Sequence, residues 1–217
     1  MGSSSGRLSQ LQEDLLAAFF ERAPGFFLTG GAALARFYLR HRETEDLDLF
    51  ATPEVEIGIG VRALIEAAAV VGASARVLHE SGDFKRYIVA RAHETTLVDL
   101  VVDRAPQVSE KVLFGGIRVD TPREIAANKV CTLLDRVEVR DLFDLRLLLG
   151  TGLELEAVLA DAQQKHAGAD PATLAWVLST TNIAPTAPIP VGTSALEIDR
   201  FRCELIDRLT RMALPPE

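Results

Sequence analysis

An α/β (α+β) fold is predicted for this chain of 217 residues, with a mixed α/β first half and a helical second half. Three observations predict it. Short apolar runs bounded by glycine, proline and polar turn residues recur before residue 120. Apolar residues at three- and four-residue spacing dominate after it. Between the two, Thr121-Pro122-Arg-Glu124 carries a helix start: an N-cap threonine, a proline at the first helical position and a glutamate placed for a capping box. The predicted division is therefore an α/β domain over 7–120 and a helical domain over 121–217, with 1–6 (Met-Gly-Ser-Ser-Ser-Gly) set aside as a tag remnant.

The elements follow in order. An amphipathic helix is expected over 8–22, stopped by Pro24-Gly25. A short apolar strand follows over 26–29, and Gly30-Gly31 turns the chain into a helix over 32–39. The next strand is 47–50, ended by Thr52-Pro53, and a helix over 55–71 closes at Gly72. Strands are expected over 74–79, 84–92 and 95–102, the last two as a hairpin around His93-Glu94. One short strand over 114–120 leads to Pro122. Helices are then expected over 122–135, 139–149, 153–166 and 171–178. A proline-rich connector or surface loop spans 180–190, and a final helix spans 194–212.

Composition narrows the function classes. No apolar stretch reaches the roughly 18 to 20 residues that a bilayer crossing needs, and no signal peptide is visible, so a cytoplasmic protein without membrane contact is expected. Cys131 and Cys203 form no CxxC pair, and the four histidines lack zinc-ligand spacing. Cys131 falls in an apolar helical pattern and is expected as a buried free thiol. The formal charge of −8 argues against a nucleic-acid binder held by bulk electrostatics. A local basic strip remains open: Arg36, Arg40, His41 and Arg42 before the acidic strand, and Lys85, Arg86 and Arg91 on a later one, with solvated surface arginines as the alternative.

The chemistry concentrates in acids. Asp46 and Asp48 in Glu45-Asp-Leu-Asp-Leu-Phe50 alternate along a strand and so share one face. Asp99 interrupts the apolar run Leu97-Val-Asp-Leu-Val-Val102, where an unpaired carboxylate would cost several kcal/mol. Three such acids brought together need a cation between them. Magnesium takes oxygen ligands and leaves room for waters and substrate phosphates. The simplest reading is a magnesium-dependent phosphoryl or nucleotidyl transfer site, with Asp99 completing the cluster and serving as general base. The alternatives are an exposed strand edge for the Asp46/Asp48 pair and Asp103 in place of Asp99. Gly30-Gly31 can bring backbone N–H donors close to a phosphate or can be a purely structural turn.

These stretches together resemble the nucleotidyltransferase superfamily typified by DNA polymerase β, and within it the AbiEii toxin branch of the AbiE abortive-infection toxin–antitoxin systems. The resemblance rests on Leu28-Thr-Gly-Gly-Ala-Ala-Leu34, Arg42-Glu-Thr-Glu-Asp-Leu-Asp-Leu-Phe50, Leu97-Val-Asp-Leu100, Glu124-Ile-Ala-Ala-Asn-Lys-Val130 and Arg140-Asp-Leu-Phe-Asp-Leu145. It implies the nucleotidyltransferase fold, a mixed sheet flanked by helices with a helical region after it. It further implies that Gly30 and Gly31 cradle a triphosphate, and that Asp46, Asp48 and Asp99 hold magnesium. Arg42 and Thr44 would fix the aspartate strand or touch phosphate, Lys129 would bind nucleotide phosphate, and Asp141 and Asp144 would support the site. A solvated Lys129 and an Arg140–Asp144 helix pair are the competing readings. One departure stands out: the superfamily commonly has a serine after the first glycine, where this chain has Gly31.

The expected function is an Mg²⁺-dependent nucleotidyltransferase toxin. It would move a nucleoside monophosphate from an NTP to a hydroxyl of RNA (a tRNA end) or protein, with a cognate antitoxin as partner. A nucleotide-binding interaction protein with little turnover and a small-molecule (antibiotic-type) nucleotidyltransferase are the alternatives.

Overall fold

The computed structural model describes residues 8–184 and 187–214. The expected tag remnant lies outside the described residues, as do two positions of the proline-rich stretch. The chain forms two compact units. One takes the residues up to Arg104 together with Glu110–Thr121, and the other takes Ala105–Ser109 together with the residues from Pro122 onward.

The first unit opens with α1 (Gln10–Arg22), whose start is a full capping box. Ser9 accepts from the Gln12 N–H, and the Gln12 side chain accepts from the Ser9 N–H at 2.9 Å. Strand β1 (Phe27–Thr29) passes directly into α2 (Gly30–Ala33), and a π-helical turn follows over Leu34–Tyr38. Then come β2 (Asp46–Ala51), α3 (Ile57–Val70), β3 (Ser74–Ser81), β4 (Phe84–Arg91) and β5 (Glu94–Val102). The single strand expected over 114–120 is instead a hairpin, β6 (Val112–Phe114) and β7 (Ile117–Val119). The cause is local: Gly115 and Gly116 both take positive φ, 54° and 90°, which a tight two-residue hairpin turn requires.

The seven strands form one sheet in the order β3-β4-β5-β2-β1-β7-β6. It is mixed: β2 runs parallel to β5 and β1 parallel to β7, while the other neighbours are antiparallel. Along β2, Leu47, Leu49 and Ala51 are buried and Asp46, Asp48 and Phe50 are half-buried. Period-2 alternation has thus assigned the leucines to the core and both aspartates to the opposite face. Helices α1 and α3 pack on each other and against β5, contributing Leu11, Leu15, Phe19 and Leu64 to the core. Each such side chain stabilises the fold by about 1.5–3 kcal/mol on full burial.

The second unit consists of α4 (Pro122–Asp135), α5 (Val139–Gly150), α6 (Leu155–Lys165), α7 (Pro171–Thr180) and α8 (Ala195–Ala213). Helix α4 packs against α5, α6 and α7, while α8 packs against α7 and α5. Asp170 caps α7 by accepting from the Thr173 N–H at 3.0 Å, and Ser194 caps α8 by accepting from Glu197 at 3.2 Å. Glu124, expected in a capping box, is fully buried, and one carboxylate oxygen accepts from the Val108 and Ser109 N–H groups at 2.8 and 2.9 Å. Its other oxygen pairs with Lys165. These bonds explain why Ala105–Ser109 belongs with the helices. The described part of the stretch from 181 to 194 contains no helix or strand. Both cysteines are free; Cys131, expected to be buried, is only partly so, with its thiol against the Ala162 carbonyl at 3.5 Å. Among the described residues no helix is long and apolar enough to cross a membrane.

Candidate active site

The sheet register builds the site. Thr29 stands opposite Asp48, Asp48 opposite Asp99, Asp99 opposite Arg86, and Arg86 opposite His79. Directly opposed residues share a face, so these five side chains line up abreast across β1, β2, β5, β4 and β3, about 4.8 Å apart per strand. Asp46 lies two residues from Asp48 on that face. The expectation that Asp46, Asp48 and Asp99 share one face is met by this register.

Each acid has a distinct environment. Asp46 Oδ1 accepts from the Thr44 hydroxyl at 2.8 Å. The loop carrying Thr44 is tied down by Gln12 of α1, whose side-chain amide donates to the Thr44 carbonyl and to Thr96 Oγ1, both at 3.0 Å. Thr96 in turn donates to the Glu45 carbonyl at 3.0 Å. Gln12, Thr44 and Thr96 are all buried, so this network fixes the entry of β2 at little conformational freedom.

Asp48 is set against the glycine turn. Gly30 has φ +64°, and a Cβ there would sit 2.1 Å from Asp48 Oδ2. At Gly31 a Cβ would sit 2.4 Å from Nη2 of Arg42. The turn is therefore bracketed by a carboxylate at Gly30 and a guanidinium at Gly31, and at Gly30 the positive φ adds to the close approach in favouring glycine. Arg42 also donates to the Glu43 carbonyl at 3.1 Å.

Asp99 is almost fully buried, and Arg86 grips it in fork geometry: Nε to Oδ1 at 2.7 Å and Nη2 to Oδ2 at 2.6 Å. The hydrogen bonds it donates to Asp99 hold the Arg86 guanidinium above its usual range against the opposing pull of burial, and the charges of Asp99, Asp46 and Asp48 add to the rise. The Arg86 guanidinium thus feels all three carboxylates. Arg86 also lies 5.5 Å from the centre of the Phe84 ring. Sequence reasoning noted Arg86 only as part of a basic strip. The signal was in the hairpin: the turn falls at Ala92-His93, with Arg91 opposite Glu94, so five steps along each strand set Arg86 against Asp99. With the turn at His93-Glu94, as expected from sequence, Asp99 would have faced Ile88.

A magnesium ion fits the donor chemistry, since all three side chains offer hard oxygens on one face. The arrangement itself is not assembled for it. Among the described residues no group of three or more His, Cys, Asp or Glu side chains stands together as a metal cage. Both oxygens of Asp99 accept from Arg86.

In the helical unit, Lys129 of α4 reaches Asp141 Oδ1 at 2.7 Å and Asp144 Oδ2 at 2.8 Å, both on α5. All three are buried. Burial pushes the lysine down most strongly, but Asp144 and Asp141 together outweigh it and hold the ammonium above its ordinary value. The buried Oδ2 of Asp141 has no hydrogen-bond partner among the described residues, with Arg136 Nε 3.9 Å away. Arg140 Nε donates to Glu138 at 2.6 Å. The solvated-lysine reading of Lys129 is thus replaced by a buried ion triad.

The fold agrees with that of known proteins. Over 92% of this chain and 84% of the other, the structure superposes on MenT4, a nucleotidyltransferase toxin from Mycobacterium tuberculosis, with TM-score 0.58 and 16% identity. It superposes on JHP933 from Helicobacter pylori over 95% of this chain and 96% of the other, with TM-score 0.57 and 21% identity. No curated protein gives a significant match. The profile described as "Nucleotidyl transferase AbiEii toxin, Type IV TA system" matches residues 14–212. The chain therefore belongs to the AbiEii nucleotidyltransferase toxin family of type IV toxin–antitoxin systems.

Proposed function

We propose that this nucleotidyltransferase uses an NTP and Mg²⁺ to transfer a nucleoside monophosphate to a hydroxyl of RNA, a tRNA end foremost, or of a protein. A hydroxyl oxygen of the acceptor attacks the α-phosphorus, the bond to the bridging oxygen breaks, and pyrophosphate leaves. The observation that carries this reading is the side-by-side placement of Asp48 and Asp99 on parallel neighbours, with the Gly30 turn pressed against Asp48.

In this reading Asp46, Asp48 and Asp99 hold the metal, which supplies charge neutralisation on the phosphates and at the leaving oxygen. Asp99 also takes the proton of the attacking hydroxyl. Thr44, bonded to Asp46, keeps that carboxylate turned to the open face. Gly30 and Gly31 bring backbone N–H groups to the triphosphate, and Arg42, lying over Gly31, adds a planar fork suited to phosphate oxygens. Lys129 binds a phosphate oxygen: an ammonium has three donors, and two of them go to Asp141 and Asp144. Those two aspartates then act as supports that orient it. The proposed setting is the cytoplasm, with a cognate antitoxin as partner.

The test is incubation with α-labelled NTPs, Mg²⁺ and total RNA or total protein. We expect label on a macromolecule, reduced by about 10² or more in Asp46→Ala and Asp99→Asn. Undiminished labelling in both variants would remove the aspartates from the mechanism. Label on protein but not on RNA would fix the acceptor as a protein side chain.

A further inference from the structure

The Asp99 side chain is only 8% exposed, and its partner Arg86 is 41% exposed. Both carboxylate oxygens accept from that one guanidinium. A buried carboxylate without a partner is strongly destabilising, so the metal-free fold needs a cation at Asp99, and Arg86 provides it from within the chain. A guanidinium forked onto both oxygens takes one lone pair of each and sets its positive charge against any divalent ion that would take the other. The half-exposed guanidinium can swing away from Asp99 because its far side already faces water.

We infer that Arg86 is a positioning residue that acts as an internal counter-ion: it holds Asp99 in the metal-free protein and gives way to the divalent cation at loading, so that guanidinium and metal compete for the same carboxylate. The inference rests on the proposed metal-holding role of Asp46, Asp48 and Asp99. It adds that metal affinity is set by an arginine that coordinates nothing. The exchange moves no bonds: Asp99 releases two N–H donors and accepts a metal in their place.

The test is Mn²⁺ binding alone, without nucleotide, to the full chain stripped of metal, read by calorimetry and by electron paramagnetic resonance of free Mn²⁺. Arg86→Gln removes the competitor and is expected to bind Mn²⁺ about tenfold more tightly than the wild type. Arg86→Lys keeps a charge but loses the planar fork, and is expected to gain about threefold. Adding Asp99→Asn to either variant is expected to cancel the gain. Should Arg86→Gln fail to fold in chelator, as circular dichroism would show, the Arg86→Lys comparison decides alone. Equal or weaker Mn²⁺ affinity in the folded Arg86 variants, alongside wild-type binding that Asp46→Asn abolishes, overturns the exchange and leaves the metal site standing. Absence of Mn²⁺ binding in the wild type and in every variant overturns the metal reading of the aspartates and the exchange with it.

Discussion

Gly30 and Gly31 are adjacent, yet the structure assigns them different penalties for the same added methyl. At Gly30 the backbone has φ +64°, and a Cβ would meet Asp48 Oδ2 at 2.1 Å. An L-residue in that backbone region costs roughly 1–2 kcal/mol. The carboxylate oxygen must also retreat by over an ångström to reach ordinary contact. A displacement of that size at a reacting group lowers turnover by about 10²-fold. At Gly31 a Cβ would meet Nη2 of Arg42 at 2.4 Å, the far end of a flexible side chain that can swing aside. Gly31→Ala is therefore expected to change stability by no more than about 0.5 kcal/mol while raising KM for the NTP through loss of the Arg42 position. Gly30→Ala is expected to lose about 1–2 kcal/mol in urea unfolding and to lower kcat rather than raise KM. Equal destabilisation of the two variants, or wild-type kcat in Gly30→Ala, would refute the placement of Asp48 against this turn.

Lys129→Met leaves Asp141 and Asp144 buried without their cation and is expected to cost about 3–5 kcal/mol by urea unfolding. Adding Asp141→Asn and Asp144→Asn is expected to recover most of the loss. The Lys129 ammonium is held above its ordinary value of 10.5, so the stability it contributes is fully present below that pH and is lost as pH rises through the higher folded value. The wild-type unfolding midpoint should therefore fall more steeply than that of the triple variant above about pH 10.5, a comparison that cancels the other lysines and tyrosines. Gln12→Leu leaves the Thr44 carbonyl and Thr96 without their shared donor and is expected to cost about 1–3 kcal/mol, measured in the same assay.

How much the sequence disclosed depended on whether a signal was local. The alternation of Asp46, Leu47, Asp48 and Leu49 is a period-2 pattern, and the structure buries the leucines and leaves the aspartates half-buried, as that pattern dictates. The Gly30-Gly31 bend was legible as a turn, although the helix begins at Gly30 itself. The β6–β7 hairpin replaces the single strand expected over 114–120, because adjacent glycines between an aromatic and a β-branched residue form a tight turn. Gln12 and Thr96 were invisible as site supports, since their roles depend on contacts 32 and 84 positions apart in the chain. Lys129, Asp141 and Asp144 could be placed on helix faces, but their mutual burial is a tertiary fact.

Asp99 shows most clearly where local reasoning stops. An acid inside an apolar run demands a compensating cation, and that demand was readable from Leu97 to Val102 alone. Its identity was not. A metal ion and an arginine satisfy the same electrostatic requirement, and the choice between them turns on strand register. Moving the hairpin turn by one residue on each strand would set Ile88 against Asp99, and the carboxylate would then have only a metal to rely on. With the turn at Ala92-His93, Arg86 fills the requirement within the chain, and the metal-free fold is tolerated. The position of one tight turn therefore determines whether Asp99 meets an arginine of its own chain or an isoleucine across the hairpin.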